Sequence, residues 1–267
     1  MVSVELHVTA QIFTAFVSAA NALYYFYIWR FTKRGRLMQW EVAWVAWVET
    51  INYVVQIATG SPRVGLIHGG KFPWMRYVGW QLTCPVLLAF IVLNMLEKPS
   101  TRLVIQLLML LQFIILSGMS ASLLADNGLK VLFVIIASLG LCTMYSVLYT
   151  NRKNKHVPSS ENKELHLLMY FMASWLVFPI MFIMGPEMTG IIPFEYTLVG
   201  HCVGDLISKN AFGILAWQYT LHIFKQKKKT LPCHKEKEVY PPSEKTSESE
   251  MARNNEVTHV TLPLKFL

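Results

Sequence analysis

Seven apolar stretches follow one another along the chain, at about 8–31, 40–59, 74–96, 103–124, 129–150, 165–185 and 195–224. A helix needs about 20 apolar residues to cross roughly 30 Å of hydrocarbon. Each stretch therefore reads as one membrane span, and the expected fold class is all-α, a bundle of seven transmembrane helices. Only 15% of residues are charged, against about 25% in soluble domains. The first stretch is too long, and too poor in small residues at its end, for a cleaved signal peptide, so it is expected to stay as a helix.

Orientation follows from the lysines and arginines, which collect in cytoplasmic loops. Arg30, Lys33, Arg34 and Arg36 follow the first span, Lys98 and Arg102 the third, and Arg152, Lys153, Lys155 and Lys163 the fifth. The opposite loops hold little beyond Arg63, Lys71 and Lys130. This predicts an outside N-terminus and a cytoplasmic C-terminus. The net charge of +8 is then topological and gives no reason to expect nucleic acid as a partner. From about residue 226 the sequence turns charged and rich in serine and proline, which predicts a disordered cytoplasmic tail over 226–267 after a helical domain over 1–225. The lysines at its start read as a stop-transfer flank, and Cys233 as a spare thiol or a palmitoylation site. Cys84, Cys142 and Cys202 fall within spans and imply no disulfide framework. No repeat, Gly-rich phosphate loop, zinc-ligand spacing or nucleophile elbow is present, so neither an enzyme nor a metal site is expected.

The seventh stretch contains the segment VGDLISKNAFGIL, residues 203–215. Lys209 lies near its middle, about 21 Å from the start at a 1.5 Å rise. A charge at that depth costs from about 2.5 to above 10 kcal/mol, so this lysine must be paired, neutral or chemically altered. Asp205 stands one turn earlier on the same face. One reading is a structural ion pair. The other is a lysine that forms a Schiff base with an aldehyde, with Asp205 as counterion to the protonated imine.

Two other spans bear on that choice. The third reads WMRYVGWQLTCPVLLAF over 74–90, with Arg76 near its outer end and Trp80, Thr83, Cys84 and Pro85 following. The sixth reads MASWLVFPIMFIMGPE over 172–187, with Trp175, Phe178 and Pro179. Together with the Asp205/Lys209 pair and the run from Val199 to Gly213, these motifs resemble the retinal pocket of microbial rhodopsins, where two tryptophans sandwich the polyene. They are most similar to the channelrhodopsins, and among those to the anion channelrhodopsins. The resemblance covers the second to seventh spans and weakens in the first. It implies all-trans retinal bound covalently to Lys209 and isomerised by light, with Trp80, Thr83, Cys84, Trp175, Phe178, Pro179 and Ser208 around it. It also implies a homodimer and a multi-pass protein of the plasma membrane.

Departures from the family pattern point to a channel. The carboxylate that usually precedes the third-span tryptophan is replaced by Gly79, which leaves Asp205 as main counterion, and the second carboxylate used by proton pumps falls at about Phe90. A proton pump is therefore not expected. The second span has Glu49 at its centre, where the family keeps a gate glutamate, and Glu41 two turns towards the cytoplasm. It has Asn52 and Gln56 where cation-conducting relatives carry acids. Pores exclude anions through rings of carboxylate and admit them when those are absent or neutral. A buried Glu49 with no cation near it is expected to be neutral. By resemblance Ser18, Glu49 and Asn210 form the central constriction, and Cys84 lacks the fourth-span aspartate it usually works with, Leu111 and Gln112 standing there. His201 is read as an interhelical hydrogen-bond partner or a proton acceptor, His222 as a membrane-edge residue, Arg76 as an interface anchor or a counterion partner, and Glu187 and Glu195 as solvated loop residues. The expected function is a light-gated channel for chloride and other small anions; a light-gated cation channel and a sensory photoreceptor acting through its tail are the alternatives.

Overall fold

A computed structural model describes residues 2–31, 40–60, 64–65, 71–153 and 162–230. Helices occupy all seven expected spans: α1 (Val2–Phe31), α2 (Trp40–Ala58), α3 (Trp74–Met95), α4 (Thr101–Leu123), α5 (Asn127–Thr150), then α6 (Lys163–Trp175) with α7 (Val177–Met184), and finally α8 (Phe194–Asp205), a π-helical turn (Leu206–Ala211) and α9 (Phe212–Thr230). Among the described residues, extended pairing is confined to a two-residue antiparallel pair between α2 and α3, Val64 opposite Phe72 and Gly65 opposite Lys71, and an isolated bridge between Leu96 and Arg152. The expected tail over 226–267 lies outside the described residues beyond Thr230, and α9 runs to that point, past the boundary at 225. The basic residues Lys33, Arg34, Arg36 and Lys155 lie outside them too.

Polar caps start three of the spans before their apolar runs begin. The side chains of Ser100, Asp126 and Asn162 accept from the amides of Leu103 (3.2 Å), Leu129 (2.7 Å) and Leu165 (2.8 Å), each satisfying one orphan donor of a first turn. The sixth span breaks at Leu176, whose amide bonds to Ala173 O at 3.2 Å in a tighter turn. Pro179 explains the break, because it has no amide to give the carbonyl four residues back. The seventh span is interrupted by the π turn that contains Lys209.

Helix α1 packs against α2 and α8, α2 against α3, α3 against α4, α4 against α5, and α7 against α8. The α7–α8 crossing is close enough that a Cβ on Gly200 would meet the Met181 sulfur at 2.1 Å. Helix α3 is the most enclosed, with Leu87, Leu88, Phe90, Ile91 and Met95 buried against Leu111, Met144, Phe171 and Phe212. The outer surface is apolar: Phe16 is 70%, Met109 66% and Leu139 63% exposed, while Gln11, Ser18, Glu49, Asp205 and Lys209 are buried. That inversion is what a bilayer demands of a bundle. Outward hydroxyls obey the same demand, since Ser138, Thr143 and Ser146 on α5 each bond to the carbonyl four residues back, at 2.8 Å.

Five segments are long and apolar enough to cross a membrane: Leu6–Phe31, Trp74–Met95, Thr101–Leu123, Asn127–Thr150 and Lys163–Met184. The second and seventh spans fall short in hydropathy because they carry the buried polar residues of the interior.

Candidate functional site

The seventh span supplies the centre of the site. The helical rise from α8 into the π turn brings Asp205 Oδ1 to 2.7 Å from Lys209 Nζ, the one-turn pairing expected from the spacing. The amine also contacts Glu49 Oε1 of α2. This overturns the expectation that Glu49 has no cation near it. Lys209 is long enough to reach the neighbouring helix, a contact between residues 160 apart that local spacing does not reveal. One turn on from Glu49, Tyr53 donates its hydroxyl to Asp205 Oδ2 at 2.6 Å. Two carboxylates thus share one cation, and the second is held by a phenol; a buried charge left unpaired would be far costlier.

Around this cluster the interior is polar. Asn210 Nδ2 donates to Ser18 Oγ at 3.0 Å, and Asn21 Nδ2 donates to Asn210 Oδ1 at 2.8 Å. Ser18 and Asn210 therefore meet as expected, while Glu49 joins the lysine. Asn21 was missed; its signal is a polar residue one turn from Ser18, in line with Gln11 and Thr14 further up the same helix. Gln11, also missed, donates to Gln56 Oε1 at 3.3 Å. Asn52 fills the space that Gly79 leaves, for a Cβ at residue 79 would stand 2.8 Å from Asn52 Nδ2. A small polar cavity is lined by Gln11, Asn52, Gln56, Arg76, Asp205 and Lys209.

A second, larger cavity is apolar and lies between α3, α4, α5 and α6–α7. Trp80, Cys84, Leu111, Trp175, Phe178 and Pro179 line it, and Trp80 borders both cavities. Lys209 Nζ stands 6.0 Å from the centre of the Phe178 ring. A long apolar chamber ending near a buried amine fits an aldehyde with a polyene tail. Leu111 faces this chamber together with Cys84, so no carboxylate answers that thiol here. Thr83 and Ser208 line neither cavity: Thr83 donates back to Gly79 O at 2.8 Å, and the buried Ser208 hydroxyl has no partner among the described residues.

Three residues differ from their expected roles, among them Glu195, which is no loop residue but stands half-buried in the first turn of α8. Glu187 is buried, its Oε1 accepting from Arg76 Nη1 at 2.9 Å, so it is no solvated loop residue; the segment after α7 folds over the end of α3 and encloses the pair. His201 makes no interhelical hydrogen bond among the described residues. Its ring stacks on Phe178 at 5.9 Å and meets Trp80 edge-on at 5.8 Å, because the aromatic wall between the cavities surrounds it. His222 Nδ1 lies 3.3 Å from Lys163 Nζ.

The family of bacteriorhodopsin-like proteins matches residues 5–223. A bacteriorhodopsin from Haloterrigena sp. (strain arg-4) is 29% identical over 150 residues, which are 54% of this chain and 59% of that protein. Among solved structures, the proton-pumping rhodopsin of the marine alga Acetabularia acetabulum superposes with a TM-score of 0.72 at 16% identity, covering 82% of this chain and 96% of that one. The red light-activated channelrhodopsin Chrimson gives 0.68 at 23%, covering 82% and 79%. A pump and a channel share this fold, so the fold alone does not tell one from the other.

Proposed function

The chain belongs to the family of bacteriorhodopsin-like proteins, integral multi-pass membrane proteins that bind retinal covalently, and from that premise we propose that it is a light-gated channel for chloride and other small anions. Lys209 is the residue that holds retinal, with Trp80, Cys84, Trp175, Phe178 and Pro179 enclosing the polyene. When bound, retinal supplies light absorption and a change of shape. Glu49 and Asp205 hold positive charge at the Lys209 nitrogen, and Tyr53 fixes the orientation of Asp205.

The observation that carries the anion reading is the pairing of every interior carboxylate just described. Glu49 and Asp205 face Lys209, and Glu187 faces Arg76. Gln11, Ser18, Asn21, Asn52, Gln56 and Asn210 add amides and a hydroxyl along α1, α2 and the seventh span, while Glu41 in the first turn of α2 keeps a carboxyl oxygen buried without a hydrogen-bond partner among the described residues. A path whose central acids are held against Lys209 and Arg76 presents amide N–H donors to a passing ion, and the cations offset most of the carboxylate charge that would repel an anion. Neutralisation of Glu49 by its lysine replaces neutralisation by a proton in this reading. A cation channel is the second reading, favoured by two carboxylates sharing one amine at the centre of the cluster. The N-terminus outside, the C-terminus in the cytoplasm, a homodimer and a plasma-membrane location complete the proposal, the first two on the basic loops and the last two on resemblance.

The test is light-evoked current under voltage clamp in retinal-supplied cells, with external chloride replaced by a bulky anion and, separately, sodium by a bulky cation. A reversal potential that follows chloride is the expected result. One that follows sodium or protons would make the unpaired half of the Glu49/Asp205 charge decisive and overturn the anion reading.

A further inference from the structure

Two backbone irregularities, the break in the sixth span at the wall of the apolar cavity and the π turn that carries Lys209, are each bonded by a tyrosine hydroxyl from the neighbouring helix. At the break in the sixth span, the Leu176 amide turns to Ala173 O and leaves Met172 O without the bond a regular helix would give it. Tyr145 of α5 donates to that carbonyl at 2.9 Å. In the π turn, Ile207 O accepts from the Phe212 amide five residues on, and the widened turn leaves it able to take a second donor. Tyr170 of α6 supplies it at 3.0 Å. Ile207 is two residues from Lys209, and Met172 is three from Trp175.

From this geometry we infer that Tyr170 is a positioning residue that ties the sixth span to the lysine-bearing π turn, and that Tyr145 holds the sixth-span break in register with α5. A phenol bonded to a backbone carbonyl joins helices at their least regular points, where the ordinary helix ladder resists displacement least. Any relative movement of the sixth and seventh spans after light absorption must carry or break the Tyr170 bond. Since the bond is formed in the dark arrangement, its loss weakens that arrangement relative to a displaced one. This holds for a pump and a channel alike, so it stands apart from the ion selectivity proposed above.

The experiment compares Tyr170→Phe and Tyr145→Phe with the parent protein by two readouts. The first is amide hydrogen exchange in the retinal-free protein. Tyr170→Phe is expected to speed exchange several-fold over 206–212, and Tyr145→Phe over 172–177. The second is thermal recovery of the dark absorption band after a flash in the retinal-loaded protein. Tyr170→Phe should slow it roughly three- to tenfold, the size of one net hydrogen bond, while Tyr170→His, which keeps an N–H donor, should restore part of the rate. Faster exchange with recovery within twofold of the parent would make the bond structural only and overturn the inference, and so would unchanged exchange. If Tyr170→Phe takes up no retinal, Tyr170→His decides: recovery slower than the parent supports the inference, and parental recovery with parental exchange in Tyr170→Phe overturns it.

Discussion

Lys209 has two carboxylates at its amine, one from its own span and one from α2. Lys209→Ala is expected to abolish the visible band after retinal addition, and a retained band would move the attachment elsewhere. Excitation shifts positive charge away from the nitrogen, so each carboxylate beside it raises the excitation energy. Asp205→Asn and Glu49→Gln should therefore both move the absorption maximum to longer wavelength; a silent Glu49→Gln would remove Glu49 from the counterion. Gly79 shows the opposite kind of constraint, a side chain that must be absent. Gly79→Ala would push the end of Asn52 aside, a mild overpacking costing about 1 kcal/mol, and the double variant with Asn52→Ala should recover most of it. Melting temperatures of the single and double variants read this directly, and strict additivity would separate the two residues.

At the scale of elements, the buried pair of Arg76 and Glu187 joins α3 to the segment that follows α7. Truncating one member leaves the other charge enclosed and unpaired. Glu187→Ala should cost about 3–5 kcal/mol, seen as thermal bleaching of the visible band at lower temperature, with Glu187→Gln milder because its amide oxygen still accepts. Equal stability of Glu187→Ala and the parent would mean that water reaches the guanidinium. The break at Leu176 and the π turn make the sixth and seventh spans the two irregular ones, the first at the wall of the apolar cavity and the second at Lys209. Proline at residue 179 makes the first irregularity visible in the sequence. The second has no such mark, because Leu206 to Ala211 contains neither proline nor glycine.

Among the described residues, apolar side chains cover the outside of the spans while Glu49, Asp205 and Lys209 are buried between them. A channel that works through this bundle alone should keep its absorption maximum and its photocurrent when residues 231–267 are deleted. Loss of the current with an intact visible band would favour signalling through a partner at the tail. Exchange of Gln11 and Gln56 for glutamates, singly, would place unpaired acid in the polar cavity. Under the anion reading each should reduce chloride current several-fold, and an unchanged reversal potential and amplitude would take that cavity off the ion path.

The count of spans, their limits to within a few residues, and the pairing of Asp205 with Lys209 are all legible in the sequence, because they depend on local quantities: hydropathy over about 20 residues, charge in adjoining loops and one turn of helix. Ser18 and Asn210 were also identified, though by resemblance to known patterns. What the chain brings together across its spans was decided only by the tertiary structure. Glu49 meets Lys209, Asn52 occupies the place of a missing Gly79 side chain, Glu187 is enclosed by Arg76, and Tyr170 reaches Ile207 O. Each of these contacts depends on helix rotation and packing distance, and the polar side chains involved read the same in sequence whether they face a neighbouring helix, a cavity or a loop.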